Sequence, residues 1–136
     1  IAKECIEFNK LWEKQNQSFI NESLIAESKS ACVLLENFDA LGLVGGILKV
    51  DGNIVGYTVG EQTYPDSDTL CIHIEKGLYS VTGVYPMLFS SFVKSFGDKF
   101  LYINREDDLD DEGLRRSKLS YNPCAFVEKY GGEIVL

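Results

Sequence analysis

Residues 45–64 have the sequence GGILKVDGNIVGYTVGEQTY, the clearest indication of a β-sheet in the chain. β-Branched and aromatic residues stand on both sides of Asp51-Gly52, a residue pair that tolerates positive φ angles. Such a pattern predicts two antiparallel strands joined by a tight hairpin. We therefore expect a sheet to begin after the first forty or so residues of the chain.

The segment Thr69–Glu75 predicts a third strand, because its side chains alternate with the period of two that is typical of strands. The expected core set is Leu70, Ile72 and Ile74, and the opposite set is Cys71, His73 and Glu75. We expect the strand to end at Lys76-Gly77.

Helices are predicted on both sides of these strands. A first amphipathic helix carries Ile6, Leu11, Trp12, Phe19 and Ile20, and a second runs from Leu24 to Phe38 with Ile25, Val33, Leu34 and Leu35 inward and a stop at Gly42. A third begins at Thr82 as its cap and ends near Phe96. Its apolar stripe is Tyr85, Leu88, Phe89, Phe92, Val93 and Phe96, with Pro86 in the first turn.

The last third of the chain contains the densest charge, in the segment 101–130, LYINREDDLDDEGLRRSKLSYNPCAFVEKY. A short strand is expected over Phe100–Asn104, a helix over Glu112–Ser120 with Asp110 or Asp111 as its cap, and a strand over Ala125–Tyr130 before a final EIVL. This order predicts one mixed α/β domain over residues 1–136, with helices flanking a mostly antiparallel sheet.

Composition narrows the class of protein. The 136 residues are 45% hydrophobic, which suits one domain with an ordinary core. Thirteen basic and 21 acidic side chains give a net charge of -8, a field that disfavours DNA and any polyanion lacking a local basic patch. No apolar run approaches the roughly 20 residues that span a bilayer, so we expect a soluble cytoplasmic protein.

Two further features bear on compartment and length. The four cysteines, Cys5, Cys32, Cys71 and Cys124, form no CxxC pair and have one histidine to assist them, so neither a zinc site nor a disulfide framework is expected. The chain opens at Ile1 in residues that are already helical, which predicts that it is part of a longer protein.

Four motifs carry a family resemblance: IHIEKG at 72–77, YINREDDL at 102–109, GLRRSKLSYNP at 113–123 and VEKY at 127–130. Over residues 41–136 the chain resembles the C-terminal domain of phosphatidylglycerol lysyltransferase and its uncharacterised bacterial relatives. The resemblance implies a GNAT-like acyltransferase fold and two such halves in tandem, of which this chain is the second. It also implies transfer of lysine from a charged tRNA to a lipid head group, with the upstream half as partner.

Transfer of an acyl group to an amine or hydroxyl needs a base, an acid and donors for the oxyanion. The catalytic candidates are Glu75, Asn104, Glu106 and Tyr121. GNAT-like folds place a base where Glu75 ends its strand, and a tyrosine acid is implied at Tyr121. The structural alternatives are an ion pair of Glu75 with Lys76 or Arg105, and core packing of Tyr121.

The candidates for binding the donor or substrate are Lys76, Thr82, Arg105, Arg115 and Lys118. Arg115 and Lys118 share a helix face, where they can hold a phosphate, a carboxylate or the end of a tRNA. Ordinary ion pairing with neighbouring acids is the alternative. Asn104, Arg105 and Glu106 leave a strand at its carboxyl end, where α/β sheets expose binding loops, but an Arg-Glu pair that merely bridges strand and helix has the same sequence.

Metal and coenzyme A signals are weak. The acids at Asp107, Asp108, Asp110, Asp111 and Glu112 lack the glycine and terminal glutamate of an EF-hand, and acids in a first helical turn complement its dipole, so no metal is expected. A lone His73 is more often packed or solvated than catalytic. The loop 77–86, GLYSVTGVYP, lacks the Q/R-x-x-G-x-G/A spacing that cradles pyrophosphate, although Ser80, Thr82 and Gly83 offer donors.

Three hypotheses follow. The first is an acyl or aminoacyl transferase domain that takes aminoacyl-tRNA as donor and a peripheral lipid or other amine or hydroxyl as acceptor. The second is a CoA-dependent N-acetyltransferase with a divergent phosphate loop, for which acyl-CoA is the donor. The third is a catalytically silent GNAT-like domain that binds a ligand or forms an interface.

Overall fold

The computed structural model describes residues 1–135, except for the side chain of Phe19. It divides the chain into two compact units, residues 1–106 and 107–136. The first unit contains α1 (Ala2–Gln15), α2 (Glu22–Glu36), β1 (Val44–Val50), β2 (Asn53–Gln62), β3 (Thr69–Gly77), α3 (Val84–Phe96) and β4 (Tyr102–Asn104), with short 3-10 turns at Gln17–Phe19 and Gly97–Lys99. The second contains α4 (Glu112–Leu119). Within the described residues, every helix falls short of the length and apolarity needed for a membrane crossing.

The sheet has the order β1-β2-β3-β4, in which the first three strands are antiparallel and β4 runs parallel to β3. At the hairpin between β1 and β2, Asp51 and Gly52 have φ angles of 50° and 80°, as the tight turn requires. The predicted hairpin, the third strand and the mixed α/β class with a mostly antiparallel sheet are confirmed.

Helices cover both faces of this sheet. Residues of α1 and α2, including Phe8, Trp12 and Leu35, pack on one face around Tyr57. On the other face, α3 lies so close to the backbone of β2 that a side chain at Gly60 would obstruct it. A Cβ on Gly60 would lie 2.4 Å from the Cys71 carbonyl oxygen and 3.1 Å from the Phe92 ring. Glycine at this position therefore lets α3 pack against the sheet backbone.

A bulge in β3 changes which side chains face which helices. Val59 pairs with Ile74 and Gly60 with Ile72, so His73 has no Cα partner on β2. Ile72 packs with Phe92 of α3, whereas Ile74 packs in the cluster of α1 and α2. Leu70, Ile72 and Ile74 are all buried, as the predicted core set requires, but they do not share one face, because the extra residue of a bulge reverses the alternation.

The helical predictions need smaller corrections. α2 ends at Glu36, and three side chains assigned to apolar faces, Leu11, Ile25 and Val33, are 44%, 47% and 56% exposed. α3 ends at Phe96 as expected and has Pro86 in its first turn, but its N-cap is Gly83 at φ 77°, not Thr82. The strand predicted over Phe100–Asn104 is shorter, and covers the last three of those residues.

In the second unit, α4 begins as predicted. The Asp111 carboxylate accepts a hydrogen bond of 2.7 Å from the Leu114 amide, which satisfies one of the unpaired amides of the first turn. The strand predicted over Ala125–Tyr130 is absent, and Phe126 and Tyr130 are 76% and 86% exposed. A strand needs a neighbour to satisfy its backbone groups, and this segment has no ladder pairing within the described residues. The predicted EIVL end extends to Leu136, which lies outside those residues.

The close approach of α3 gives a test of packing. We expect Gly60→Ala to lower the free energy of unfolding by about 1–3 kcal/mol, because the new methyl group has no room beside the Cys71 carbonyl. Gly46→Ala is the matched control, since a Cβ there meets nothing within 4 Å. Urea denaturation should show a change within about 0.5 kcal/mol for the control. Equal losses for both variants would contradict this account of the packing.

Candidate functional site

Two groups of charged side chains in the first unit lie where β3 and β4 separate. The two strands pair over three positions only, from Thr69 with Tyr102 to Cys71 with Asn104. β3 then continues to Gly77, while the chain leaves the sheet at Arg105. The carboxyl ends of two parallel strands are therefore apart, an arrangement that in α/β proteins commonly admits a ligand.

Arg105 and Glu75 form an ion pair across this separation. The Arg105 Nη2 lies 2.9 Å from the Glu75 Oε1, and the two side chains are 18% and 12% exposed. The guanidinium also lies over the Phe89 ring of α3, 4.3 Å from its centroid. The structure thus contains the Glu75–Arg105 pair that the sequence allowed as an alternative to catalysis, and it lies on the face covered by α3.

The side chain of Glu106, the next residue, points away from the Glu75–Arg105 pair. Its backbone has a φ of 57°, and its amide donates a 2.8 Å hydrogen bond to the Asn104 side chain. This local turn directs the Glu106 carboxylate to His73, whose Nδ1 is 2.8 Å from Oε1. Asn104 acts here as a support for Glu106, because its side chain stabilises the left-handed backbone.

His73 is enclosed by three groups that favour its protonated form. Its Nε2 lies 2.8 Å from the Glu61 Oε1, and its Nδ1 lies 4.0 Å from the Cys71 sulfur. Hydrogen bonding to Cys71, then to Glu106 and to Glu61, raises the pKa of His73 to about 11 against the opposing effect of burial. At neutral pH the cluster therefore contains an imidazolium held between two carboxylates.

The sequence analysis missed this His73 cluster, defined as Glu61, Cys71, His73 and Glu106. Glu61 was not considered, and His73 was expected to be packed or solvated. Glu61 lies opposite Cys71 across β2 and β3 only because the register shifts by one residue between Val59 and Gly60. The bulge at His73 had no signal in the sequence, because alternation continued through it.

Two other predicted binding residues of the first unit lie apart from both clusters. Lys76 is 3% exposed, with its ammonium 4.7 Å above the Trp12 ring and 3.3 Å from the Glu27 carboxylate. It packs on the face of α1 and α2, so the structure does not bring it to the Glu75–Arg105 pair. Thr82 is exposed in the loop before α3.

The remaining predicted residues belong to the second unit. Arg115 of α4 forms ion pairs with Asp108 and Asp110, and Lys118 donates to the Asp107 carbonyl oxygen. The Arg115 guanidinium lowers the pKa of Asp108 by hydrogen bonding to its carboxylate. Tyr121 follows the helix and is 41% exposed. The catalytic and binding roles of all these residues remain predictions.

The protonation of His73 can be observed directly, since it is the single histidine of the chain. NMR of labelled imidazole in the presence of a chelator should show His73 still protonated at pH 8, and Glu106→Gln should lower its pKa. Because folding raises the pKa of His73, its contribution to stability is full below about pH 6.5 and is lost as pH rises toward about 11. Glu36→Gln, on the exposed surface of α2, is the control. Ordinary titration near pH 6.5 in the unaltered chain would refute the cluster.

Comparisons with known proteins agree with this architecture. A family model described as "Phosphatidylglycerol lysyltransferase, C-terminal" matches residues 1–131. A crystal structure of a conserved protein of unknown function from Bacteroides thetaiotaomicron VPI-5482 is 40% identical, with a TM-score of 0.85 over 91% of this chain. The match covers 41% of that protein's chain, so the present chain spans less than half of its relative's length. The search of curated proteins returned no match.

More distant structures define the fold. A ribosomal-protein-alanine N-acetyltransferase from Brucella melitensis biovar Abortus 2308 is 14% identical, with a TM-score of 0.66, over 98% of this chain and 95% of its own. An AAC(6')-Iy in complex with a bisubstrate analogue containing CoA is 12% identical, with a TM-score of 0.57, over 98% and 92%. At these identities the likeness concerns the fold, which is that of the GNAT acetyltransferases.

Proposed function

Since the chain belongs to the phosphatidylglycerol lysyltransferase C-terminal family, we propose that it is the aminoacyl-transferring domain of a longer protein built from two GNAT-like halves. The family match and the fold both identify the chain as a domain of the acyltransferase type. The proposal adds the donor, an aminoacyl-tRNA, and the acceptor, an amine or hydroxyl such as that of a lipid head group. It also adds the upstream half as partner and a cytoplasmic location.

The observation that carries the proposal is the separation of β3 from β4 beyond Cys71 and Asn104. In GNAT-like sheets the donor enters between the corresponding strands. Here the diverging ends carry Glu75 on one strand and Arg105 and Glu106 after the other. Charged groups at such a position can bind and orient a polar acyl donor, and the partly buried surroundings strengthen their electrostatic effect.

The reaction follows from ordinary acyl-transfer chemistry. The acceptor's nitrogen or oxygen attacks the donor carbonyl, and the ester bond to the tRNA ribose breaks as the new amide or ester bond forms. We assign Glu75 as the base that removes the acceptor's proton, with Arg105 positioning it, and the departing ribose oxygen takes up a proton. For the second unit we keep the roles predicted from the sequence, which are a general acid for Tyr121 and phosphate contacts for Arg115 and Lys118.

A second candidate, CoA-dependent acetyl transfer, is favoured by one observation: a structure with this fold binds a CoA-containing analogue. The loop before α3 supports it poorly. Gly83 provides no side-chain cap, which leaves first-turn amides for an anion, but the spacing of the usual pyrophosphate cradle is missing. Thr82 would be its available hydroxyl donor.

Transfer assays with the full-length protein distinguish these donors. Radiolabelled lysyl-tRNA with vesicles containing phosphatidylglycerol tests the proposal, and acetyl-CoA with an amine acceptor tests the alternative. We expect label in the lipid fraction and none from acetyl-CoA. Acetyl transfer alone would favour the second candidate, and inactivity with a panel of charged tRNAs and acceptors would favour a catalytically silent domain.

The role of Glu75 gives a quantitative prediction. Glu75→Gln keeps the shape of the side chain but removes the base, so kcat should fall by about 100-fold or more while the KM for the donor changes little. Glu36→Gln is the control, because this glutamate lies exposed on α2. Unchanged kcat in Glu75→Gln would reduce the Glu75–Arg105 pair to a structural contact.

Arg115 and Arg116 form a matched pair on α4. If Arg115 contacts donor phosphate, Arg115→Gln should raise the KM for the donor about tenfold, the effect of losing one charge-assisted hydrogen bond. Arg116→Gln changes the net charge equally and should have little effect beyond that charge. Equal effects of the two substitutions would indicate a nonspecific electrostatic contribution and would contradict a specific role for Arg115.

A further inference from the structure

The His73 cluster contains three different kinds of metal-binding atom in one place. The Cys71 sulfur, the His73 Nδ1 and a Glu106 carboxylate oxygen all lie within 4.8 Å of one another. We propose that Cys71, His73 and Glu106 bind a zinc ion, with Glu61 as the outer partner of the histidine. This site is independent of the proposed transfer reaction and would remain if that reaction were disproved.

The distances suit a tetrahedral ion. Zinc binds sulfur at about 2.3 Å and nitrogen or oxygen at about 2.0–2.2 Å, which separates neighbouring ligand atoms by about 3.3–3.6 Å. The sulfur is 3.6 Å from the Glu106 Oε1 and 4.0 Å from the His73 Nδ1, and that nitrogen is 2.8 Å from the same oxygen. Movements of about half an ångström, mainly of the half-exposed Glu106, bring all three to ligand separation.

Glu61 orients the histidine for this role. It lies 2.8 Å from the His73 Nε2, on the opposite side of the ring from Cys71 and Glu106. When Nε2 donates its proton to Glu61, the Nδ1 lone pair points toward the other two ligands. A carboxylate that holds the second nitrogen of a ligating histidine is a regular feature of zinc sites, because it fixes the tautomer and raises the basicity of the ligand.

The backbone preforms the arrangement. His73 is the extra residue of the β3 bulge, and Glu106 is held at positive φ by the Asn104 side chain. Bulges and left-handed residues that redirect side chains are common at functional sites. Cys71 is 8% exposed and Glu106 40%, so the sulfur forms the inner end of the site and the carboxylate its outer edge.

The chemical types of the three ligand atoms indicate which divalent metal the site favours. A thiolate with an imidazole favours zinc over calcium or magnesium, which prefer oxygen ligands. Three protein ligands leave the fourth tetrahedral position open, as in zinc sites that bind water or substrate. The ion takes the place of the imidazole proton between His73 and Glu106 and of the thiol proton, so binding releases protons to solvent.

Metal titration of the full-length protein after chelator treatment tests the site, with zinc and cobalt as probes. We expect one equivalent of zinc that is lost in Cys71→Ser, and a near-ultraviolet thiolate-to-cobalt charge-transfer band that is lost with it. Cys124→Ser, which removes an exposed thiol of the second unit, is the matched control and should keep both. Far-ultraviolet circular dichroism checks that each variant is folded.

Glu61→Gln provides a second variant at a more exposed position, for the case in which Cys71→Ser fails to fold. It should still bind one equivalent but with about 10–100-fold weaker affinity, as expected for the loss of an outer-shell carboxylate. Zinc uptake that is identical in Cys71→Ser and the unaltered protein would overturn the proposal. So would an unchanged affinity in Glu61→Gln, or a cobalt band that disappears only in Cys124→Ser.

Discussion

The parallel pairing of β3 with β4 determines where the polar groups of the first unit can meet. It is short, from Thr69 with Tyr102 to Cys71 with Asn104, so the sheet is closed at one end and open at the other. Beyond these pairs, the described residues show no further ladder hydrogen bonds between the two strands. The Arg105–Glu75 ion pair provides a side-chain connection there, and stacking on Phe89 orients its guanidinium.

Because of the bulge at His73, the charged side chains near the carboxyl ends of β3 and β4 lie on two different faces of the sheet. Glu75 lies with Arg105 on the side of α3, while the His73 cluster lies on the other side, because strand alternation reverses at the extra residue. One face therefore presents a neutralised ion pair, and the other presents an excess of carboxylate around an imidazole. An excess of carboxylate attracts cations, whereas a neutralised ion pair does not.

The parts of the fold that sequence predicted well are those that local interactions determine. The hairpin follows from the two residues of its turn, and the start of α4 from the side chain of Asp111. Ile74 is in the core as predicted, but its separation from Ile72 onto the other face was not foreseen, because a bulge depends on pairing with β2, which no local pattern records. The segment 125–130 has the composition of a strand but no neighbour among the described residues.

The candidate site was predictable to a similar degree. Arg105 and Glu106 were identified from their position after a strand, and the pairing of Arg105 with Glu75 was one of the two outcomes considered. The His73 cluster was missed because Glu61, Cys71 and Glu106 come from separate segments, and spacing along the chain does not reveal such a group. The absence of a CxxC pair predicted no zinc site, because such spacing rules detect only ligands that are close together in the sequence.

The adjacency of Arg105 and Glu106 has a mechanical consequence. These two residues are joined by one peptide bond, yet Arg105 pairs with Glu75 on one face of the sheet and Glu106 contacts His73 on the other. The two Cα atoms are held about 3.8 Å apart across a trans peptide, so a backbone displacement at Glu106 is passed directly to Arg105. The covalent link between the two faces is thus one peptide bond long and bypasses the core.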